Sequence, residues 1–169
     1  MEKKVMTTIA VVAIVGIIFI FSFFYFTNVM GNAVRGGEGN LNVLSNEKFT
    51  IYKSESCGCC SGYASFLRSK GLDAEVVDLA STNADSVKEK YGIPPDMRTC
   101  HTTIVGEYFV EGHVPLEAIA KLVKEKPSIK GIALPGMPSG SPGMPGKKYG
   151  DFVIYSISNN GSVGEFMRI

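Results

Sequence analysis

The most apolar stretch of the chain comes first. From Val5 to Phe26 there are 22 residues without a charge, crowded with Ile, Val and Phe. A helix needs about 20 apolar residues to cross the hydrocarbon core of a bilayer. The run therefore predicts a single transmembrane anchor within residues 1–30. A secretory signal has a shorter apolar core, about 7–15 residues, and ends at a small-residue cleavage site. No A-x-A pattern follows Phe26, which counts against the rival reading, a cleaved signal peptide. Residues 31–46 hold glycines at 31, 36, 37 and 39 and read as a tether.

Shorter patterns follow. Phe49-Thr50-Ile51-Tyr52 is a β-prone run that leads into Cys57-Gly58-Cys59-Cys60. Tyr63, Phe66 and Leu67 then recur at helical spacing until Gly71. Ala74 to Leu79 reads as a second strand. Thr82 or Asn83 can cap a second helix that carries Val87 and Tyr91 and stops at Gly92 and Pro94. Thr102–Val105 and Tyr108–Val110 predict a hairpin, because Gly106-Glu107 suits a two-residue turn with glycine first. Leu116, Ile119, Ala120 and Val123 share one helical face, with Pro115 at the first helical position.

The predicted order is β-α-β-α-β-β-α, an α/β fold with helices packed over a small sheet. Pro135 to Gly146 (PGMPSGSPGMPG) holds four prolines and four glycines and excludes helix or central strand. Asp151–Ser158 and Ser162–Ile169 flank Asn159-Asn160-Gly161 and predict a closing hairpin. Asn160-Gly161-Ser162 is also a glycosylation acceptor pattern, but the turn explains it without modification. The chain thus divides into an anchor (1–30), a linker (31–46), an α/β domain (47–134) and a loop with closing hairpin (135–169).

Charge excludes one class of function and orients the anchor. The 169 residues carry 17 basic and 16 acidic side chains, a formal charge of +1. That balance lacks the basic excess of a nucleic-acid binder. With 45% hydrophobic and 20% charged residues, the chain is not a disordered one. Lys3 and Lys4 precede the apolar run, whereas Arg35 and Glu38 cancel after it. Positive flanks stay in the cytoplasm, so the domain is expected on the extracytoplasmic face, membrane-anchored by a single pass.

The chemistry is concentrated in sulfur and imidazole. The four cysteines are Cys57, Cys59, Cys60 and Cys100, and the two histidines are His101 and His113. Thiolates select soft cations such as Cu(I) and Zn(II) over Mg(II) or Ca(II). Cys57 and Cys60 fall at a helix start, where the dipole and free N–H groups favour thiolate. Three thiolates in one turn repel unless a cation or a disulfide relieves the charge. His113 precedes the helix that begins near Pro115, whose positive end favours the neutral, metal-binding imidazole. Met137 and Met144 each lie in a repeated Pro-Gly-Met-Pro and add thioether donors for Cu(I), although a plain spacer explains them too. The helical spacing of Tyr63, Phe66 and Leu67 reads as core.

Two rivals remain. Cys57-x-x-Cys60 at a strand-to-helix junction is the spacing of thiol–disulfide oxidoreductases, with Cys57 and Cys60 as the redox pair. An even cysteine count also allows structural disulfides, though adjacent Cys59 and Cys60 are awkward to pair separately. A Cys₄ or Cys₃His set would equally suit a structural zinc module.

Four linked segments sharpen the choice. Tyr52-Lys53-Ser54…Cys57-Gly58-Cys59-Cys60, Cys100-His101-Thr102, Val110-Glu111-Gly112-His113-Val114-Pro115 and Ala133-Leu134-Pro135-Gly136-Met137-Pro138…Ser141-Pro142-Gly143-Met144, in this order, resemble the CopG-type copper-resistance family. The resemblance spans about residues 48–169. It implies a thioredoxin-like domain that handles copper outside the cytoplasm, with redox activity accompanying binding. Carried over by motif, Cys57, Cys59 and Cys60 look like the principal ligands. Cys100 would complete a Cys₄ set, and His113, His101, Met137 and Met144 would be secondary donors. Copper transporters or chaperones are the partners to expect, with no nucleic acid. One departure from thioredoxin-type enzymes is that Cys100-His101-Thr102-Thr103 stands where they keep a cis-proline, which weakens the oxidoreductase reading.

Overall fold

Strand β1 (Lys48–Ser54) shows how the sheet is built. Phe49, Ile51 and Lys53 are buried, while Lys48 is exposed and Thr50 and Tyr52 are partly covered. This is the period of two that side chains on a pleated strand must follow. Helix α1 (Gly58–Ser69) starts from Cys57 at its N-cap and buries Cys60, Tyr63, Ala64 and Leu67, a stripe spaced by three and four. Gly71, at φ +77°, lets the chain leave that helix, and β2 (Asp73–Leu79) returns parallel to β1. Helix α2 (Ser81–Lys90), a one-turn helix at Pro95–Met97, the hairpin β3 (His101–Val105) and β4 (Tyr108–Glu111), and helix α3 (Leu116–Glu125) complete the predicted order. Gly106 turns the hairpin at φ +55°.

The structure is a computed structural model, and the described residues are 16–17, 20–23 and 41–169. Residues 16–17 and 20–23 are helical. Among the described residues no helix is long and apolar enough to cross a membrane. Most of the expected span from Val5 to Phe26 lies outside the described residues. Asn40–Ile169 forms one compact unit, separate from Met1–Gly39.

Three local expectations change. Helix α2 begins at Ser81 after Ala80, so Thr82 and Asn83 lie inside its first turn instead of capping it. The Asn83 amide donates to the Ala80 carbonyl at 2.7 Å, which closes that turn. Pro115 sits just before α3 at the N-cap, where its missing N–H costs nothing. The third change adds an element. Strand β5 (Ile129–Ala133) follows α3 and runs parallel to β4. Gly131 interrupts its pattern and hides it from a reading by propensity. The glycine is there because a Cβ would strike the Phe109 carbonyl oxygen and come within 2.6 Å of its ring.

The closing hairpin, β6 (Val153–Ser158) and β7 (Val163–Arg168), joins the same sheet through β5. Asn160 Oδ1 accepts bonds from Ser158 Oγ (2.6 Å) and the Ser162 amide (3.0 Å), so the Asn-Gly-Ser triplet serves the turn. The sheet has seven strands in the order β2-β1-β3-β4-β5-β6-β7. One face carries the main core, where Phe49, Ile51, Val105, Val110 and Ile132 meet α1 and α3. The other face carries a smaller cluster in which Phe109, Ala133 and Ile157 meet Ile93 and Met97. The molecule is a mixed α/β fold with helices flanking the sheet.

Gly131→Ala is expected to destabilise the fold by about 1–3 kcal/mol, the usual cost of overpacking a tight interior. A urea unfolding midpoint that drops while the slope stays constant would bear this out. An unchanged midpoint would mean β4 and β5 are not in close contact there.

Candidate metal centre

The turn from β1 into α1 places three sulfurs at one end of the sheet. The Cys57 amide donates to the Ser54 carbonyl at 3.0 Å, which tightens the approach to the helix. Cys57 and Cys60 are joined as a disulfide, their Cα atoms 5.5 Å apart. Cys59 Sγ lies 3.4 Å from Cys57 Sγ and 3.6 Å from Cys100 Sγ. Cys100 arrives from the residue before β3, and all four sulfurs fall within 4.8 Å of one another. The four cysteines of the expected set are therefore brought together, with Cys57 and Cys60 bridged and Cys59 and Cys100 free. Met137 Sδ lies 2.7 Å from Cys100 Sγ. Met137 holds φ at +45°, a conformation that side chains other than glycine rarely adopt, and it does so where its thioether meets the cluster. Met144 is half-buried on the same loop, and none of the hydrogen-bonding contacts within the cluster involves its sulfur.

Behind Cys100 lie the two imidazoles. His101 and His113 are both fully buried, and their rings approach to 4.9 Å between centroids. Cys100, His101 and His113 offer a second group of three donors within 4.8 Å. His113 Nδ1 is 2.7 Å from the Pro142 carbonyl oxygen and must carry the proton, so Nε2 holds a free lone pair. Neither ring nitrogen of His101, nor Nε2 of His113, has a hydrogen-bond partner. Burial, with the neighbouring His113 and the Lys88 ammonium, pushes His101 down to about 3. Burial also lowers His113. Both rings are thus neutral at ordinary pH, the form that ligates metal.

Backbone packing holds the Pro/Gly loop against this group. A Cβ on Gly62 would come within 2.7 Å of the Gly143 carbonyl oxygen, and one on Gly143 within 2.6 Å of the Tyr63 amide. Only two glycines permit that approach of loop to helix. Tyr63, expected to be core alone, also serves the site. Its ring lies 4.9 Å from His101 and 5.3 Å from His113, and its hydroxyl donates to the Val114 carbonyl at 3.0 Å. The available signal was its position one turn beyond Cys60 on the same stripe.

The donor chemistry fits a soft cation. Burial and the adjacent Cys59 sulfur push the Cys100 thiol up to about 11, so it keeps its proton until a cation displaces it. Buried imidazole nitrogens without partners are costly unless something accepts their lone pairs. A metal ion with sulfur and nitrogen ligands satisfies both demands.

A sulfur-rich cluster with buried imidazoles at one end of a mixed sheet is a donor set compatible with a soft metal ion. The profile described as "Protein of unknown function, DUF411" matches residues 97–144, which hold Cys100, both histidines and both loop methionines. Two solved structures, forms 1 and 2 of the copper resistance protein CopG, are each 32% identical to this chain. They cover 72% and 73% of it, and 96% and 98% of their own length, with TM-scores of 0.63 and 0.64. No curated protein matches. The chain belongs to the CopG-type copper-resistance family.

Because His101 is protonated only near pH 3 when folded but near 6.5 when unfolded, the unfolded chain binds more protons between those values. Stability of the metal-free protein should be full above pH 6.5 and fall on acidification, by about 3 kcal/mol at pH 4 from this group. His101→Leu should flatten that slope in urea titrations. Equal slopes would rule out a buried neutral His101.

Proposed function

We propose that the protein binds Cu(I) through its cysteine cluster, outside the cytoplasm, in copper resistance or homeostasis. The observation that carries this reading is one thiol shared by two donor groups. Cys100 completes a four-sulfur set with Cys57, Cys59 and Cys60 and a Cys-His-His set with His101 and His113. Thiolate, thioether and imidazole together suit cuprous ion, and membership of a copper-resistance family supports copper over zinc. The thioethers of Met137 and Met144 act as outer donors. Strand order β2-β1-β3-β4, with β1 parallel to β2 and antiparallel to β3, supports a thioredoxin-like core. The uncharged run before residue 27 tethers the domain to the outer face of the membrane, where copper transporters or chaperones are its partners.

A second reading has one observation in its favour. The Cys57–Cys60 disulfide at the start of α1 is the arrangement of a dithiol oxidoreductase. In that role the reduced pair would give two electrons and two protons to a disulfide substrate and close its own bridge.

Cu(I) titration of the reduced protein, in competition with a chromophoric chelator and with Zn(II), separates the readings. Copper binding predicts tight cuprous uptake that Cys60→Ser and Cys100→Ser each weaken by an order of magnitude or more. It also predicts little turnover of small disulfides. Indifference to Cu(I) together with metal-free disulfide reduction would establish the oxidoreductase instead. Preferential Zn(II) uptake and unfolding on chelation would establish a structural zinc module.

A further inference from the structure

One buried charge pair has no part in the cluster yet touches the segment that carries two of its donors, Cys100 and His101. Glu111 closes β4 and is fully buried, and its partner Lys88, from α2, is 4% exposed. Lys88 Nζ lies 3.2 Å from Glu111 Oε1. The carboxylate also accepts from the Thr99 amide at 2.6 Å and the Thr99 hydroxyl at 3.1 Å, both on Oε1. Oε2 accepts from the Thr102 hydroxyl at 2.6 Å. Lys88 donates to that same hydroxyl at 3.2 Å. A single carboxylate therefore grips both ends of Thr99-Cys100-His101-Thr102.

The grip comes from the far side of the sheet. Val105, two pleats along β3 from His101, packs in the α1/α3 core, whereas Ile104, two residues from Thr102, packs with the opposite cluster. Strand alternation puts His101 on the first face and Thr102, with its partner Glu111, on the second. The carboxylate does not touch the donors; it fixes the backbone they stand on. The next residues along the chain carry the other imidazole. Gly112, at φ +83°, donates its amide to the His101 carbonyl at 3.1 Å, and a Cβ there would meet the Leu134 carbonyl oxygen at 2.8 Å. His113 follows.

We propose that Glu111, neutralised by Lys88, is a positioning residue that sets Cys100 and His101 in register with the other sulfurs and with His113. The cost of burying an ion pair is substantial and brings little net stability. Full use of both carboxylate oxygens on the two residues flanking a donor pair shows what the pair secures. The inference rests on the copper-binding reading for its consequence, but the positioning itself can be measured without metal.

The first measurement uses the reduced, metal-free full chain. Alkylation rates of Cys100 and Cys59 by iodoacetamide are compared by mass spectrometry. Glu111→Gln should speed Cys100 several-fold relative to Cys59, because the segment loosens and the thiol is uncovered. The second is Cu(I) affinity by chelator competition. Glu111→Gln should weaken it about 10- to 100-fold, the usual effect of losing a partner behind a ligand. In a Cys100→Ser/His101→Gln background the same substitution should change it less than twofold. Thr102→Val keeps the charge pair and removes one bond. It should shift both readouts in the same direction by a smaller factor, and it decides the matter if Glu111→Gln does not fold. An unchanged Cys100 rate, or an equal affinity loss in both backgrounds, overturns the proposal. A wild-type chain that ignores Cu(I) while Cys100 still responds to Glu111→Gln overturns the copper reading and leaves the positioning role intact.

Discussion

The register between β1 and β3 is the constraint on which the site depends. Lys53 pairs with His101, and Ile51 with Thr103. This pairing sets the end of β1, where the Cys57–Cys60 turn departs, beside the start of β3, where Cys100 arrives. A slip of one residue would turn every β3 side chain to the opposite face. His101 would leave His113 and Tyr63, and Thr102 would leave Glu111. The burial of Phe49, Ile51 and Val105 in one core opposes such a slip, because each would have to surrender its apolar contacts. The same hydrophobic packing that folds the sheet therefore assembles the donors.

The site then draws on three kinds of backbone control. Helix α1 supplies the N-terminal turn for three sulfurs. The paired glycines at 62 and 143 let the Pro/Gly loop lie on that helix, which brings the Pro142 carbonyl to His113 and supports the tautomer with Nε2 free. Glu111 holds the strand start from behind. Each control acts on a different group of donors, and the groups meet at Cys100. Its thiol meets Cys59 on one side and Met137 on the other, with both imidazoles at hand.

Much of this was legible in the chain itself. Cysteine, histidine and methionine are chemically distinctive, and their clustering around four loops exposed the site before any fold was known. The β-α-β-α-β-β-α order followed from apolar periodicity and from glycines that end helices. What escaped notice depends on contacts across the sheet. Strand β5 looks weak because Gly131 breaks its pattern, and only the nearness of Phe109 explains that glycine. Tyr63 has ordinary core spacing, and its role beside the imidazoles exists only once β3 is in place. Lys88 and Glu111 are 23 residues apart in sequence, on a helix and a strand, with no spacing rule to connect them.

The bridge between Cys57 and Cys60 has a stoichiometric consequence. Closed, it leaves Cys59 and Cys100 as the free thiols of the group; opened by two electrons, it doubles that number. Under the proposed copper-binding function, the ceiling on metal load follows the local supply of reducing equivalents, so that redox poise sets capacity without synthesis of more protein.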